Sequence, residues 1–376
     1  MKAVVAGHLC LDIIPEFRGG EVRLEPGRLI DVGAATLACG GGVANVGQAL
    51  LKLGVDATLL GKIGNDAFGD IVQAKLSVLS PQAAQSLKRT ATENTSYSVV
   101  LNPPGLDRIF LHHAGCNDSF GVEDIDLEVG ADADLFYFGY PPLLRRTYED
   151  GGVALAERLR EVKSLGLTTV LDMAMPDPGT ASGRADWRGF LQRVLPHIDF
   201  FMPSLEEVCF MLGRDVPNDT TALAPVAEAL LELGSPVVGL KMGANGLYLK
   251  TADLENYSLG RAGPRDPAAW SKRELWSPVF EADVKGTTGA GDATIAGFIA
   301  ALLRKESLER CLTLANAVGG MSVEALDAVG GVGSFEDLTA RLTAGWARGA
   351  HKVDSNYWHP GLQGVYCGRH DGGKLA

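Results

Sequence analysis

Gly286-Thr287-Thr288-Gly289-Ala290-Gly291-Asp292 stands directly before an apolar helical pattern. From Ala293 on, Ile295, Phe298, Ile299, Leu302 and Leu303 recur at the spacing of one helix face. The glycines therefore fall where the chain enters a helix, which the spacing predicts over 292–304. A helix start turns free backbone N–H groups and the positive end of the dipole toward whatever binds there. That suits a phosphate or a developing negative charge. Gly289 and Gly291 carry no Cβ to hold a ligand off. Asp292 is the odd member. A carboxylate in a first turn is ordinarily a cap, yet beside an anion-binding loop it would repel the phosphate. Taking a proton from an attacking hydroxyl, next to a loop that steadies the transferred group, gives a carboxylate a purpose there.

Upstream of this stretch the chain alternates regularly. Strand-like runs at Leu135–Phe138, Thr168–Leu171, Phe200–Met202, Val237–Lys241 and Leu247–Leu249 are mostly separated by helical patterns, such as Val153 to Leu165 and Ala222 to Leu233. Strand and helix in repetition predict a doubly wound α/β domain, a mostly parallel sheet with helices on both faces. Ligands collect at the carboxyl ends of such strands. Polar punctuation stands there: Gly139-Tyr140-Pro141-Pro142, Asp172, Ser204 with Glu206 and Glu207, and Lys241-Met242-Gly243-Ala244-Asn245-Gly246.

The amino-terminal third is more mixed. Lys2 to Ala6 reads as a buried strand, which places Asp12 near its carboxyl end. Cys39-Gly40-Gly41-Gly42-Val43-Ala44-Asn45 leads into a helix that Gly54 stops. Those glycines serve either as a tight entry or, with Asn45, as donors to a polyol. Asp56 to Gly61 is the next strand, and the loop at 62–70 enters another helix. Its Gly61-Lys62 pair lacks the glycine offset and the following Ser or Thr of a Walker A loop.

Two segments break the rhythm. Ile13-Ile14, Val22-Arg23-Leu24 and Leu29-Ile30-Asp31-Val32 are short strand-like pieces. Ser96 to Leu101 and Arg108 to Leu111 flank a turn at Pro103-Pro104-Gly105. Together they predict a small accessory sheet from 13–38 and 93–117. His112, His113 and Cys116 have near-ligand spacing but lack the further ligands a zinc site takes. Residues 251–280 read as a long polar loop, either a cover for a nucleotide or a surface excursion. Ala315 to Gly320 predicts a small-residue helix suited to close packing. From Ala350 the tail has no period and reads as either docked or partly disordered.

Length and composition bound the function. The chain has 376 residues, 46% of them hydrophobic, and a net charge of −12. That is enough for one large α/β domain. No basic stripe is present to neutralise a nucleic-acid backbone. Six cysteines without CxxC spacing read as reduced thiols of a cytoplasmic protein. The apolar run at Met1 is too short for a signal peptide, and no run approaches a membrane span.

These motifs, taken together, resemble the PfkB (ribokinase-like) carbohydrate kinase family. Gly40–Asn45, the GKIGNDAFGD stretch, a DxxxP-like strand end at Asp172, Pro203 to Val208, the KxGxxG of Lys241 to Gly246, and Gly286–Asp292 occur in family order across residues 1–340. The resemblance implies a domain over 1–345 with a small β lid, and a carboxyl-terminal extension over 346–376. It implies transfer of the γ-phosphoryl group of ATP to a hydroxyl of a sugar or sugar-like molecule, with Mg2+. A K+ requirement stays open. By position, Asp292 resembles the general base, and Gly289, Ala290 and Gly291 the anion hole. Asp12, Gly40, Gly41, Asn45 and Arg108 fall on the acceptor side. Lys241, Gly243, Gly246, Thr287, Asn316 and Ser204 fall on the ATP side, and Glu207 resembles the glutamate that reaches magnesium through water. The lid implies a homodimer. Two departures bear on the phosphate and metal shell: Gly286 stands where the family often has Asp, and Ser204 where it often has Asn.

Other readings make different demands. A nucleoside kinase of the same fold needs an apolar slot near the lid, for which Phe110, Tyr97 and Phe120 are candidates. A nicotinamide-dependent oxidoreductase needs GxGxxG after the first strand, where Gly7-His8-Leu9-Cys10 stands instead. A non-catalytic ligand sensor on the kinase scaffold would tolerate the two departures, but has no need of Asp292 with its glycines.

Overall fold

The computed structural model describes residues 1–19, 26–103, 109–255 and 257–373. The strand-like piece at 22–24, the turn at 104–105 and the acceptor-side candidate Arg108 lie outside them. Sixteen strands are formed among the described residues: β1 (Lys2–Gly7), β2 (Cys10–Phe17), β3 (Val32–Gly40), β4 (Asp56–Leu60), β5 (Lys62–Gly64), β6 (Lys88–Thr90), β7 (Tyr97–Leu101), β8 (Ile109–His113), β9 (Leu135–Gly139), β10 (Thr168–Asp172), β11 (Phe200–Phe201), β12 (Val237–Lys241), β13 (Leu247–Thr251), β14 (Glu274–Ser277), β15 (Trp358–Pro360) and β16 (Tyr366–Gly368). The helices are α1 (Gly41–Lys52), α2 (Ala67–Leu79), α3 (Pro81–Gln85), α4 (Arg145–Tyr148), α5 (Val153–Ser164), α6 (Trp187–Val194), α7 (Leu205–Leu212), α8 (Ala224–Glu232), α9 (Ala290–Leu303), α10 (Leu308–Ser322) and α11 (Phe335–Thr343).

Ten strands form the main sheet in the order β15-β16-β14-β13-β12-β11-β10-β9-β1-β4. From β4 to β12 every pairing is parallel, and from β12 outward every pairing is antiparallel. Alternate side chains of each strand feed two separate cores. Ala3 and Val5 join the core that contains α1, α9 and α10, while Val4 and Ala6 join the one under α5, α6, α7 and α8. Burial on both faces explains why these strands are apolar throughout instead of alternating. No described helix is long and apolar enough to cross a membrane. All six cysteines are buried and unpaired.

A second sheet has the order β3-β2-β7-β8. It begins earlier than the sequence predicts, because β2 starts at Cys10 directly after β1. Asp12 is therefore not at the carboxyl end of the first strand but on β2, in the smaller sheet, paired in register with Ala38 and Ser98. The strand expected at 29–32 is also displaced. Leu29 is exposed, and β3 starts only at Val32 and runs through the small residues Gly33 to Thr36. Those residues carry little propensity signal of their own, and pairing with β2 makes the strand.

The reading of 251–280 as one polar loop is corrected at its end. Glu274 to Ser277 form β14, fully buried inside the main sheet. Glu274 misleads because a carboxylate in a buried strand is rare. Here its Oε1 accepts hydrogen bonds from Tyr248 and Tyr357, and Lys250 lies 3.5 Å from Oε2. The tail is docked: β16 pairs with β14 and β15 with β16, extending the main sheet.

Candidate active site

The glycine-rich stretch enters α9 as its spacing predicts. Gly289 is the N-cap in a left-handed conformation (φ 71°), and a Cβ there would run into Ala328. Both facts favour glycine. The loop around it is partly open: Thr287 is exposed, and Gly289, Ala290 and Gly291 are half-buried. The Ala290 amide donates only a long bond, 3.3 Å, to Thr287 O. The glycine at 286 has a local cause. A Cβ would lie 2.9 Å from Ala325 O and 3.1 Å from Leu326 O, so the 323–326 turn fills the space a side chain would need.

Asp292 is 3% exposed in the first turn of α9. Its Oδ2 accepts from Asn45 Nδ2 at 2.9 Å, and the Tyr140 hydroxyl lies 2.8 Å from both oxygens. Three remote segments thus meet: α9, the first turns of α1, and the end of β9. Burial pushes the Asp292 carboxyl above its ordinary value, and the Lys241 ammonium and the two hydrogen bonds only partly offset it. Gly41 begins α1 at φ 85°, and its Cα sits against the His8 carbonyl and ring. That close approach lets Val43 N reach His8 O at 3.1 Å and fixes the helix that carries Asn45.

Asp12 faces the same entry. A Cβ on Gly40 would collide with the Asp12 carboxylate, so the two are in direct contact. Burial pushes Asp12 up to about 6, the Cys10 hydrogen bond opposes this, and Asp292 adds to it. The influence of Asp292 places both carboxyls in one electrostatic neighbourhood.

On the other side of Asp292 lies Lys241, at the end of β12. Its Nζ donates to Asp172 Oδ1 at 2.6 Å, and its chain lies against Gly291. Burial pulls the ammonium down, but Asp172, Glu207 and Asp292 outweigh it and hold Lys241 above its ordinary value. Burial likewise pushes Asp172 up to about 8, against the pull of Lys241. One ammonium among three carboxylates keeps its proton. Ser204 caps α7, and its amide donates to Glu207 Oε2 at 2.8 Å. The bridge between Ser204 and Lys241 aligns that cap with the end of β12.

Further along the same edge, Gly243 leaves open space and Gly246 packs on Ser277 and Pro278. Asn316 lies on α10, where its Nδ2 donates to Ser277 O at 2.6 Å. Among the described residues no group of three or more His, Cys, Asp and Glu side chains is arranged to hold a metal ion. His112 instead meets Ser98 Oγ at 3.0 Å, and Cys116 donates to Lys62 O. The candidates for an apolar slot are not brought together. Phe120 is buried in one core, Tyr97 packs edge-on to Phe68 against the other, and Phe110 is exposed on β8.

Buried polar atoms cluster without partners around this centre: both ring nitrogens of His8, Asn45 Oδ1, Tyr137 Oη and Asp172 Oδ2. Buried polar groups in a finished fold are almost always hydrogen-bonded, so this density of exceptions marks a place made for a polar ligand. Sequence reasoning gave no role to His8, Tyr137 or Tyr140, and it set Lys241 on the ATP side without pairing it with Asp172. Polar residues at strand ends named Tyr140, Asp172 and Lys241 as punctuation, and the family motifs named Asp172 and Lys241 without pairing them.

The pattern of the pfkB family carbohydrate kinases matches residues 2–331. The chain belongs to that family. It is a carbohydrate kinase, a phosphotransferase that acts on an alcohol group. The kinase is 26% identical over 332 residues to an ATP-dependent ribose-1-phosphate kinase of Halopiger xanaduensis, covering 86% of this chain and 92% of that one. It is 24% identical over 347 residues to fructokinase-2 of Zea mays, covering 89% and 93%. Its fold is that of Arabidopsis thaliana ribokinase, solved in complex with ribose and ATP. The TM-score is 0.68 at 20% identity, with 90% of this chain and 98% of that one covered.

Proposed function

We propose that the kinase transfers the γ-phosphoryl group of ATP to a hydroxyl of a sugar or sugar-like molecule, with Asp292 as general base. The observation that carries this reading is the buried Asp292 carboxylate at the α9 start, held by Asn45 and Tyr140 and flanked by the half-buried glycine loop. The acceptor lies between β2, α1 and Asp292, with Asp12, Asn45 and the entry at Gly40 and Gly41 around it. Its hydroxyl replaces the Tyr140 hydroxyl as the hydrogen-bond donor to Asp292. As the acceptor oxygen bonds to the γ-phosphorus, its proton passes to Asp292 and the bond from that phosphorus to the β-bridging oxygen breaks, releasing ADP.

Lys241 and the main-chain amides at 289–291 hold the charge that spreads over the phosphoryl oxygens. Gly243, Gly246, Thr287, Ser204 and Asn316 lie along the nucleotide. The unpartnered Asp172 Oδ2 and the Glu207 carboxylate suit contact through water to Mg2+ carried by the phosphates, an ion that would neutralise their charge. The smaller sheet acts as a lid that excludes water as a competing acceptor. Its edge strand β8 exposes Ile109, Phe110 and Leu111, which supports pairing of two lids in a homodimer.

The test is acceptor-dependent ADP release over pentoses, hexoses, sugar acids, sugar phosphates and nucleosides. A sugar-class acceptor is expected to stimulate release well above the background of water. Stimulation by adenosine or inosine alone would make it a nucleoside kinase, and stimulation by none would leave a ligand sensor.

A further inference from the structure

Tyr140 has a left-handed backbone (φ 67°, ψ 48°), which a bulky side chain rarely adopts. Pro141 follows it, and the residue before a proline is ordinarily driven to extended backbone. Such a conformation persists only where the surroundings fix it, and it gathers at functional sites. Here both sides are fixed: Tyr140 N donates to Asp172 O at 3.3 Å, and Leu143 N donates to Tyr140 O at 3.0 Å.

This backbone places one hydroxyl. Tyr140 Oη lies 2.8 Å from Asp292 Oδ1 and 2.8 Å from Oδ2. Asn45 also serves Oδ2, but among the described residues Tyr140 is the only hydrogen-bond donor to Oδ1. Burial, with Asp292 and Asp172 close by, pushes the phenol well above its ordinary value, so it keeps its proton and acts as a donor. An alcohol donating to a general base is the contact that an acceptor hydroxyl makes before transfer. The Tyr140 hydroxyl thus stands in that hydroxyl's place. It also lowers the proton affinity of the carboxyl, because a hydrogen bond to the charged form favours that form.

The surroundings offer partners for an exchange. The His8 ring lies 6.0 Å from that of Tyr140, centroid to centroid, and both its nitrogens are buried without partners, as is Asn45 Oδ1. Burial holds His8 well below its ordinary value and keeps it neutral, so one ring nitrogen accepts from a hydroxyl and the other donates.

We propose that Tyr140 is a specificity residue that selects a polyol over water: its hydroxyl holds Asp292 as a surrogate acceptor until a polyol displaces it. The proposal rests on the reading of Asp292 as general base. A polyol takes over Asp292 while gaining contacts with Asp12, Asn45 and His8, and that binding drives the exchange. A water molecule trades one oxygen for another and gains no such contacts, so it is not activated. Removing the phenol oxygen leaves room for one water against Asp292. Its oxygen then bonds to the γ-phosphorus, its proton passes to Asp292, and the bond to the β-bridging oxygen breaks, releasing ADP and inorganic phosphate.

The test is Tyr140→Phe, assayed for phosphate release with Mg·ATP alone and for ADP release with the panel sugar that stimulates wild type most. Rates are read on the alkaline plateau of the pH profile, where the buried Asp292 carboxyl is ionised. Acceptor-independent hydrolysis is expected to rise at least about tenfold, within what a general base contributes. The acceptor KM is expected to fall about threefold, because the sugar no longer competes with the phenol. Asp292→Asn/Tyr140→Phe is expected to lose the gain in hydrolysis. A hydrogen bond that served the fold alone would lower the unfolding temperature and leave hydrolysis unchanged. If Tyr140→Phe fails to fold, Tyr140→Asn decides, since Asn tolerates the left-handed backbone and is too short to reach Asp292. Hydrolysis within about twofold of wild type in a folded variant overturns the proposal, and so does a gain that survives Asp292→Asn. If hydrolysis is unchanged while Asp292→Asn alone abolishes acceptor-stimulated release, the guard falls and the base reading stands. If Asp292→Asn keeps wild-type turnover, the base reading fails first and takes the guard with it.

Discussion

Asp292→Asn removes a charge and keeps a shape. The present carboxylate accepts from Asn45 Nδ2 at 2.9 Å and from the Tyr140 hydroxyl at 2.8 Å. An amide can turn its oxygen toward Asn45 and its NH2 toward Tyr140, whose hydroxyl accepts as readily as it donates. Both contacts survive, so the loss of stability should stay under about 1 kcal/mol, the worth of one net hydrogen bond. Burial also raises the folded carboxyl above its ordinary value. Its contribution is therefore full below its unfolded value and lost as pH rises through the folded one. Relative to wild type, the variant should gain stability from acid toward neutral pH. Chemistry is the opposite case. Without a base, kcat should fall at least about two decades, or ~2.7 kcal/mol of barrier, while ADP binds as before. Acceptor-stimulated ADP release, ADP titration and thermal unfolding measure the three effects. A folded variant with kcat within about threefold of wild type would refute the base assignment. A large drop in unfolding temperature would instead make Asp292 a structural cap.

Lys241→Met leaves Asp172 buried without its ammonium and should cost about 3–5 kcal/mol in urea unfolding, with much of it restored in Asp172→Asn/Lys241→Met; a single variant as stable as wild type contradicts the pairing at 2.6 Å. Burial lifts Asp12 from 3.8 to about 6, so it favours the fold fully below 3.8 and loses that contribution as pH rises to about 6. The span is on the order of 3 kcal/mol, and Asp12→Asn should flatten the stability curve in that window; parallel curves would speak against the burial effect. Leu111→Glu on the exposed β8 edge should convert a dimer to a folded monomer by light scattering. A wild-type protein already monomeric at micromolar concentration removes the lid interface.

Much of this kinase is written locally. Each glycine run before an apolar helical period, at 40–42 and 286–291, is a turn whose meaning depends on a few adjacent residues. The strand and helix alternation from 135 to 249 is likewise local, because strands buried on both faces must be apolar throughout. These features were enough to set the doubly wound fold and to single out Asp292 and Asn45 as residues of interest. They did not say that the two touch.

What stayed illegible depends on partners far along the chain. Asn45 meets Asp292 across 247 residues, Tyr140 meets it across 152, and Lys241 meets Asp172 across 69. No period or spacing encodes such pairings; they arise when separate strand ends arrive at one sheet edge. β14 was hidden because its Glu274 is tolerable only with Tyr248, Tyr357 and Lys250 around it, and the tail became strand only by pairing with β14. The amino-acid order thus determined which segments are strand, helix and glycine turn over most of the chain, since backbone sterics and burial act over a few residues. Tertiary structure alone decided which carboxylate lies next to which cation, and how far each is pushed from its ordinary proton affinity, because desolvation and Coulomb attraction exist only after those segments have packed.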